Sequence, residues 1–148
     1  MLVSAVLLVA ASQQRGPVQF HKVMTTEARS PQSPHATIIR DKRHAFDFFY
    51  LIKPGAPKPI SIKKINWRKT NVLVIYPGLV QTDARITLLG VKRQGSLVKA
   101  AIKVQRGITA ETHYPMTILT VPKLPASSQA QLDQLRAVSK YRLGHRSA

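Results

Sequence analysis

Glu111 and His113 stand two residues apart and form the pair in this sequence best suited to begin acid–base or metal chemistry. In extended backbone, residues i and i+2 share a face, so a carboxylate and an imidazole would sit side by side. The pair is not a site on its own. A metal centre needs further ligands, and the segment ahead of Tyr114 and Pro115 reads as a loop. The other histidines, His21, His35, His44 and His145, are scattered. No glycine-rich phosphate loop, paired-histidine zinc helix or nucleophile elbow is present. The six acids (Glu27, Asp41, Asp47, Asp83, Glu111 and Asp133) lie far apart, which leaves a two-metal nuclease without its clustered carboxylates. Cysteine is absent, so disulfide frameworks, thiolate metal sites and cysteine nucleophiles are excluded. The expectation is a protein without catalytic residues, metal or cofactor.

Positive charge is what the sequence holds in quantity. Twenty-three Lys and Arg face six acids, for a formal charge of +17 and a pI near 11.1. Such a chain repels itself unless a polyanion surrounds it. Nucleic acid is the first partner class this implies, and an anionic membrane surface the second. The densest stretch, residues 53–69, carries Lys53, Lys58, Lys63, Lys64, Arg68 and Lys69 and no acid. Trp67, the only tryptophan, lies within it. Cations follow a phosphate backbone, and an indole stacked on an unpaired base contributes about 1–3 kcal/mol. Burial in the core is the competing role for Trp67. Lys92 and Arg93 fall at an expected hairpin tip, and Lys99 and Lys103 on the wet face of a strand. These eleven residues are the expected RNA contacts. A smaller basic cluster, Arg40, Lys42, Arg43 and His44, reads either as a solvated loop or as a further phosphate contact. No zinc-finger or recognition-helix pattern accompanies them. Dispersed cations suit backbone contacts to shaped RNA, which position without specifying sequence.

The elements that must hold these cations read as α+β. A small antiparallel β-meander, either closed as a barrel or left open, spans residues 71–125. It is preceded by a long extended N-terminal arm and followed by a C-terminal helix. The clearest strand is 97–105, where Val98, Ala100, Ile102 and Val104 alternate with Lys99, Lys103 and Gln105. Val72 to Tyr76 is a continuous apolar run ended by Pro77 and Gly78, as in a central strand. Residues 85–92 form a second strand with Gly90 as a bulge candidate, and Gly95 serves the hairpin that follows. Residues 116–121 close the meander. Beyond Pro125, a helix capped by Ser127 or Ser128 runs to about Leu143, with Leu132, Leu135, Val138 and Tyr141 as its apolar stripe.

Residues 1–52 read as an extension. Its apolar start, residues 1–12, is too short to span a bilayer, which takes about 20 residues. It lacks the positive region of a secretory signal, and it reads as a segment docking on a neighbour or as an uncleaved targeting segment. Residues 45–52 read as a strand from the alternation of Phe46, Phe48 and Tyr50. Residues 53–70 read as a basic, proline-rich linker, and residues 126–148 as the amphipathic helix with a basic tail.

A cysteine-free, strongly basic chain with a modest folded unit and long extensions resembles a ribosomal protein. The neutral apolar start and proline-rich arms resemble those of mitochondrial ribosomal proteins. The resemblance is of general type over the whole chain, and the hairpin pattern of residues 90–105 is similar to strands of OB-barrel ribosomal proteins. It implies a structural constituent of a mitochondrial ribosome, in the matrix, contacting ribosomal RNA and neighbouring ribosomal proteins and catalysing nothing. A different class is an accessory subunit of a mitochondrial membrane complex that meets anionic lipid. A third is a small RNA-acting enzyme or a processing factor, for which Glu111 and His113 are the nominated residues.

Overall fold

The computed structural model describes residues 15–136, with the side chains of residues 15–135. Its ten strands are β1 (Arg15–Pro17), β2 (His21–Glu27), β3 (His35–Ile39), β4 (Thr70–Tyr76), β5 (Val80–Gln81), β6 (Arg85–Gln94), β7 (Leu97–Gln105), β8 (Thr112–His113), β9 (Pro115–Pro122) and β10 (Gln129–Arg136). One two-turn helix, α1 (Lys42–Phe49), and a 3₁₀ turn, Ile60–Lys64, complete the described chain. Four strands form a first sheet in the order β1-β6-β7-β10, and four form a second in the order β2-β9-β4-β3. A two-stranded ribbon pairs β5 with β8.

The second sheet is the middle layer. Along β4 every residue from Asn71 to Tyr76 is buried, and the alternation sends successive side chains to opposite faces. Leu73 and Ile75 face the first sheet and pack with Val91, Val98, Ala100, Ile102, Leu119 and Val121. Val72, Val74 and Tyr76 face away and pack with Ala45 and Phe48 of α1, Ile52, Ile62, Met116 and Ile118. Burying each of these large aliphatic side chains contributes roughly 1.5–3 kcal/mol. The order of layers is therefore first sheet, second sheet, then α1 with the 3₁₀ turn. Arg40 straps one side of the sandwich, donating to the carbonyls of Pro125 at 3.0 Å and of Ser128.

The expected α+β meander is corrected to a mainly β sandwich in which no sheet closes into a barrel. The strands read from 72–76, 85–92, 97–105 and 116–121 exist, and the chain shifts register between Leu88 and Gly90 as the glycine suggested. Of these, β6 and β7 pair as the expected hairpin, but the others do not pair with their neighbours in sequence. β4 pairs with β9 and β3, while β6 pairs with β7, so the chain crosses between sheets.

The expected C-terminal helix is not formed: Gln129–Arg136 is strand β10, parallel to β7. Its register sets Ala130 beside Val98 and Leu132 beside Ala100 on the inner face. Pairing satisfies the backbone along the edge of β7, a gain that outweighs the helix propensity of the segment. Val138 and Tyr141 of the expected stripe lie outside the described residues, as does the apolar start, residues 1–12.

Residues 45–52, expected as a strand, belong largely to α1. The Asp41 side chain caps it by accepting from the His44 amide at 2.8 Å, and Ala45, Phe48 and Ile52 form the buried stripe. Alternation at 46, 48 and 50 was too short a signal, and the capping aspartate was the informative one. From residue 15 onward, the segment expected as an extended arm supplies β1 to one sheet and β2 and β3 to the other.

Candidate nucleic-acid interface

Among the described residues the second sheet is covered on both faces, and the first sheet leaves one face open. The β6–β7 register defines it. Lys92 stands opposite Lys99, Gly90 opposite Ala101, Thr87 opposite Lys103, and Arg85 opposite Gln105. β1 adds Arg15 beside Gln94, and β10 adds Gln131 beside Lys99 and Asp133 beside Ala101. Five cations thus share this face with a single acid, Asp133. The row through Lys92 and Lys99 runs from Pro17 to Gln131 and has no carboxylate. Like charges directly opposite on neighbouring strands repel, so this arrangement works against folding unless an anion lies over it. The bulge lets Gly90 sit in the middle row, where a Cβ would meet nothing within 4 Å. The bulge residue Leu89 is exposed beside Gly90, and Asp133 stands beside Ala101, so this middle row separates the Lys92–Lys99 row from Lys103 with apolar and acidic side chains.

The expected contacts divide between two surfaces. Lys92, Lys99 and Lys103 lie on this open face. Arg93 does not: it pairs with Val98 on the inner side of the sheet, and its Nε donates to the Gly95 carbonyl at 3.3 Å. Gly95 makes the turn possible with φ +60°.

Residues 53–69 belong to the layer beyond the second sheet, because Ala56, Ile62, Ile65 and Trp67 pack on its far face. Two stacked-layer spacings of about 10 Å therefore separate their cations from those of the open face. Lys53 ion-pairs with Glu27 at 3.3 Å. Lys58, Lys64, Arg68 and Lys69 are exposed. The Lys63 ammonium lies 4.9 Å from the centroid of the Phe49 ring and 5.8 Å from that of Phe46, a cation–π arrangement. Trp67 is half-buried, and its Nε1 is enclosed without a hydrogen-bond partner. Its indole packs against the core cluster beyond the second sheet.

Glu111 and His113 are not brought together as a pair. Glu111 is exposed, and its carbonyl accepts from the Thr82 amide at 3.0 Å. The partner of His113 is Glu27, whose Oε1 lies 3.2 Å from Nδ1. The hydrogen bond from His113 is the main reason the Glu27 carboxyl is held below its usual range, with Lys53 adding to it and partial burial opposing it. An acid 86 residues away in the chain gave no sequence signal for this contact. No hydroxyl hydrogen-bonds to the His113 ring among the described residues, so the pair lacks the nucleophile of a relay. Nor do three or more metal-ligating side chains cluster among those residues.

The carboxylate of Asp83 has a structural task. It accepts from the Ile108 amide at 2.9 Å, the Thr109 amide at 3.2 Å and the Thr109 hydroxyl at 2.7 Å, which holds its carboxyl below the usual range. Gly107 is needed beside it, since a Cβ there would run into that carboxylate. Tyr76, stacked on His35 at 4.3 Å, has its hydroxyl pushed up to about 12 by burial.

No helix among the described residues is long and apolar enough to cross a membrane. Comparison with known proteins finds no family model, no curated protein and no solved structure that matches this chain.

Proposed function

We infer that this chain is a non-catalytic RNA-binding subunit, a structural constituent of a ribosome of the mitochondrial type. Its open sheet face lies against ribosomal RNA, and its other surfaces lie against neighbouring proteins. The observation that carries this reading is the Lys92–Lys99 pair, with no carboxylate in its row, on a five-cation face. A free-standing sheet gains nothing from two ammonium groups in register, whereas a phosphate backbone across them turns the repulsion into attraction. The Thr and Gln side chains around them, Thr87, Gln94, Gln105 and Gln131, add hydrogen-bonding partners for phosphate and ribose. The test is titration of structured RNA at several salt concentrations, with sedimentation of the native protein on ribosomal particles. Steep salt dependence and co-sedimentation are expected. Recovery of the native protein only in a membrane fraction free of ribosomes would defeat the reading.

One observation favours the membrane-subunit alternative. On the helix layer, Phe46, Tyr50, Leu51 and Ile60 are exposed beside Lys63 and Lys64, a composition suited to an anionic lipid interface. Flotation with anionic vesicles that survives RNase and requires detergent for release would select it.

A further inference from the structure

The two long sides of the sandwich differ. On one, β3 and β10 meet and Arg40 ties them. On the other, β2 is the edge of its sheet and β6 is flanked by β1 over part of its length, and among the described residues the space between them stays open. β1 covers only the end of β6, pairing with Lys92, Arg93 and Gln94. One further bond follows, from the Val18 amide to the Val91 carbonyl at 2.8 Å, before the chain leaves for the second sheet. The stretch of β6 from Arg85 to Leu88 therefore has a strand neighbour on one side only among the described residues.

A crevice of about 260 Å³ opens there, lined by Lys22 and Thr25 of β2, Ile86 and Leu88 of β6, Thr117 of β9, and His113. Its composition departs from the rest of the sandwich interior. Thr25 and Thr117 face each other across β2 and β9, and no hydrogen bond occupies either hydroxyl among the described residues. Lys22 stands opposite Leu119 and so projects from the same inner face. Aliphatic side chains on one wall and free hydroxyls with an ammonium on the other suit an occupant that has both a side-chain row and a polar backbone.

We propose that this crevice is a docking site for an extended, acidic peptide segment of a partner protein. The segment adds to the free edge of β6 in line with β1. Strand addition gives affinity through backbone hydrogen bonds and selectivity through alternate side chains. The edge already accepts a strand in this way, since β1 does so over its three residues. Charge chooses the occupant: a second copy would bring another chain of +17 to this edge, whereas an acidic strand meets Lys22 and the overall field. The proposal stands on the β6 edge and does not depend on what covers the open face of the sheet.

The experiment uses the full chain labelled with ¹⁵N and a synthetic, end-blocked peptide of alternating Thr and Val flanked by Glu at both ends. The expected result is saturable shifts at the amides of Arg85 to Leu88, Thr25 and Thr117, with new exchange protection along Arg85 to Leu88. Lys22→Glu is expected to weaken binding about tenfold or more, and so is Thr25→Glu, which changes an exposed edge position and leaves the core intact. The same peptide with Lys in place of Glu is expected to bind at least tenfold more weakly. The proposal is overturned if the peptide produces no shifts at the β6 edge, or if the Lys peptide binds as well. Protection of Arg85 to Leu88 in the free chain would also overturn it, by showing that a segment of the chain itself covers the edge. Concentration-dependent shifts there without peptide would assign the edge to a second copy and overturn it equally.

Discussion

Replacing Lys92, Lys99 and Lys103 together by Gln separates what the open face does for folding from what it does for binding. Gln keeps most of the side-chain length and its hydrogen-bonding capacity while removing the charge. Lys92 and Lys99 are directly opposite across β6 and β7 with no acid in their row. Cross-strand pairs of this kind are worth about 0.2–1 kcal/mol, here with a destabilising sign. Neutralising them is expected to raise stability by up to about 1 kcal/mol in low salt, or about 4 °C in melting temperature for a domain of this size. The gain should fade as salt rises, because the Debye length is about 10 Å at 0.1 M. Binding should move the other way. Each phosphate that a lysine neutralises adds about 0.9 to the slope of log affinity against log salt on duplex and about 0.7 on single strands. Removing all three lysines should therefore flatten the slope by about 2–2.7, so a fourfold rise in salt should cost the parent some 20–40-fold more affinity than the variant. Thermal denaturation and anisotropy titrations of labelled RNA from about 50 to 200 mM salt measure both effects. A variant less stable than the parent, or an unchanged salt slope, would refute the reasoning. A flattened slope in Lys53, Lys58 and Lys64→Gln instead would move the RNA to the helix layer.

Three further expectations concern the scaffold. Asn71 is fully buried and its Oδ1 accepts from the Leu124 amide at 2.8 Å, so Asn71→Leu strands that amide and should cost about 1–3 kcal/mol in urea unfolding; a midpoint equal to the parent's would contradict this. The Asp83 carboxyl is depressed, so its contribution is full at neutral pH and is lost as pH falls through the acid side of the carboxylate range. Amide shifts of Ile108 and Thr109 should report a low-pH transition that Asp83→Asn removes, and a transition unchanged in that variant would exclude Asp83 as its source. Strand β10 makes Leu132 and Leu135 unequal, because Leu132 packs inward while Leu135 is 58% exposed. Leu132→Ala should destabilise by more than about 1 kcal/mol and Leu135→Ala by less than about 0.5, whereas a helical stripe would make both costly.

The local pattern of the chain made its strands legible wherever one face was apolar and the other wet. Residues 97–105 form β7 along the same bounds, and the Gly90 irregularity and the Gly95 turn follow from backbone chemistry alone. Near residue 130 the pattern was ambiguous, because Leu132 and Leu135 fit a helical stripe while Ala130 and Leu132 fit a strand. The vacant edge of β7 settled it, and that edge exists only once β6 and β7 have folded. The lysines of the candidate interface were likewise readable one by one as exposed cations, but their grouping was not.

Composition by itself determined that this protein carries a large positive charge, has no cysteine chemistry and has only six acids from which to build a site. The tertiary structure decided which cations share a surface. The second sheet lies between the open face and residues 53–69, so Lys99 and Lys103 share a surface with Lys92 and not with the Lys53–Lys69 group. One step of register sends Arg93 inward and leaves its neighbour Lys92 outside. The same long-range packing gave His113 its partner in Glu27 and, among the described residues, left part of the β6 edge without a strand neighbour. Pairing between distant strands depends on the whole fold, and a local window of sequence carries no record of it.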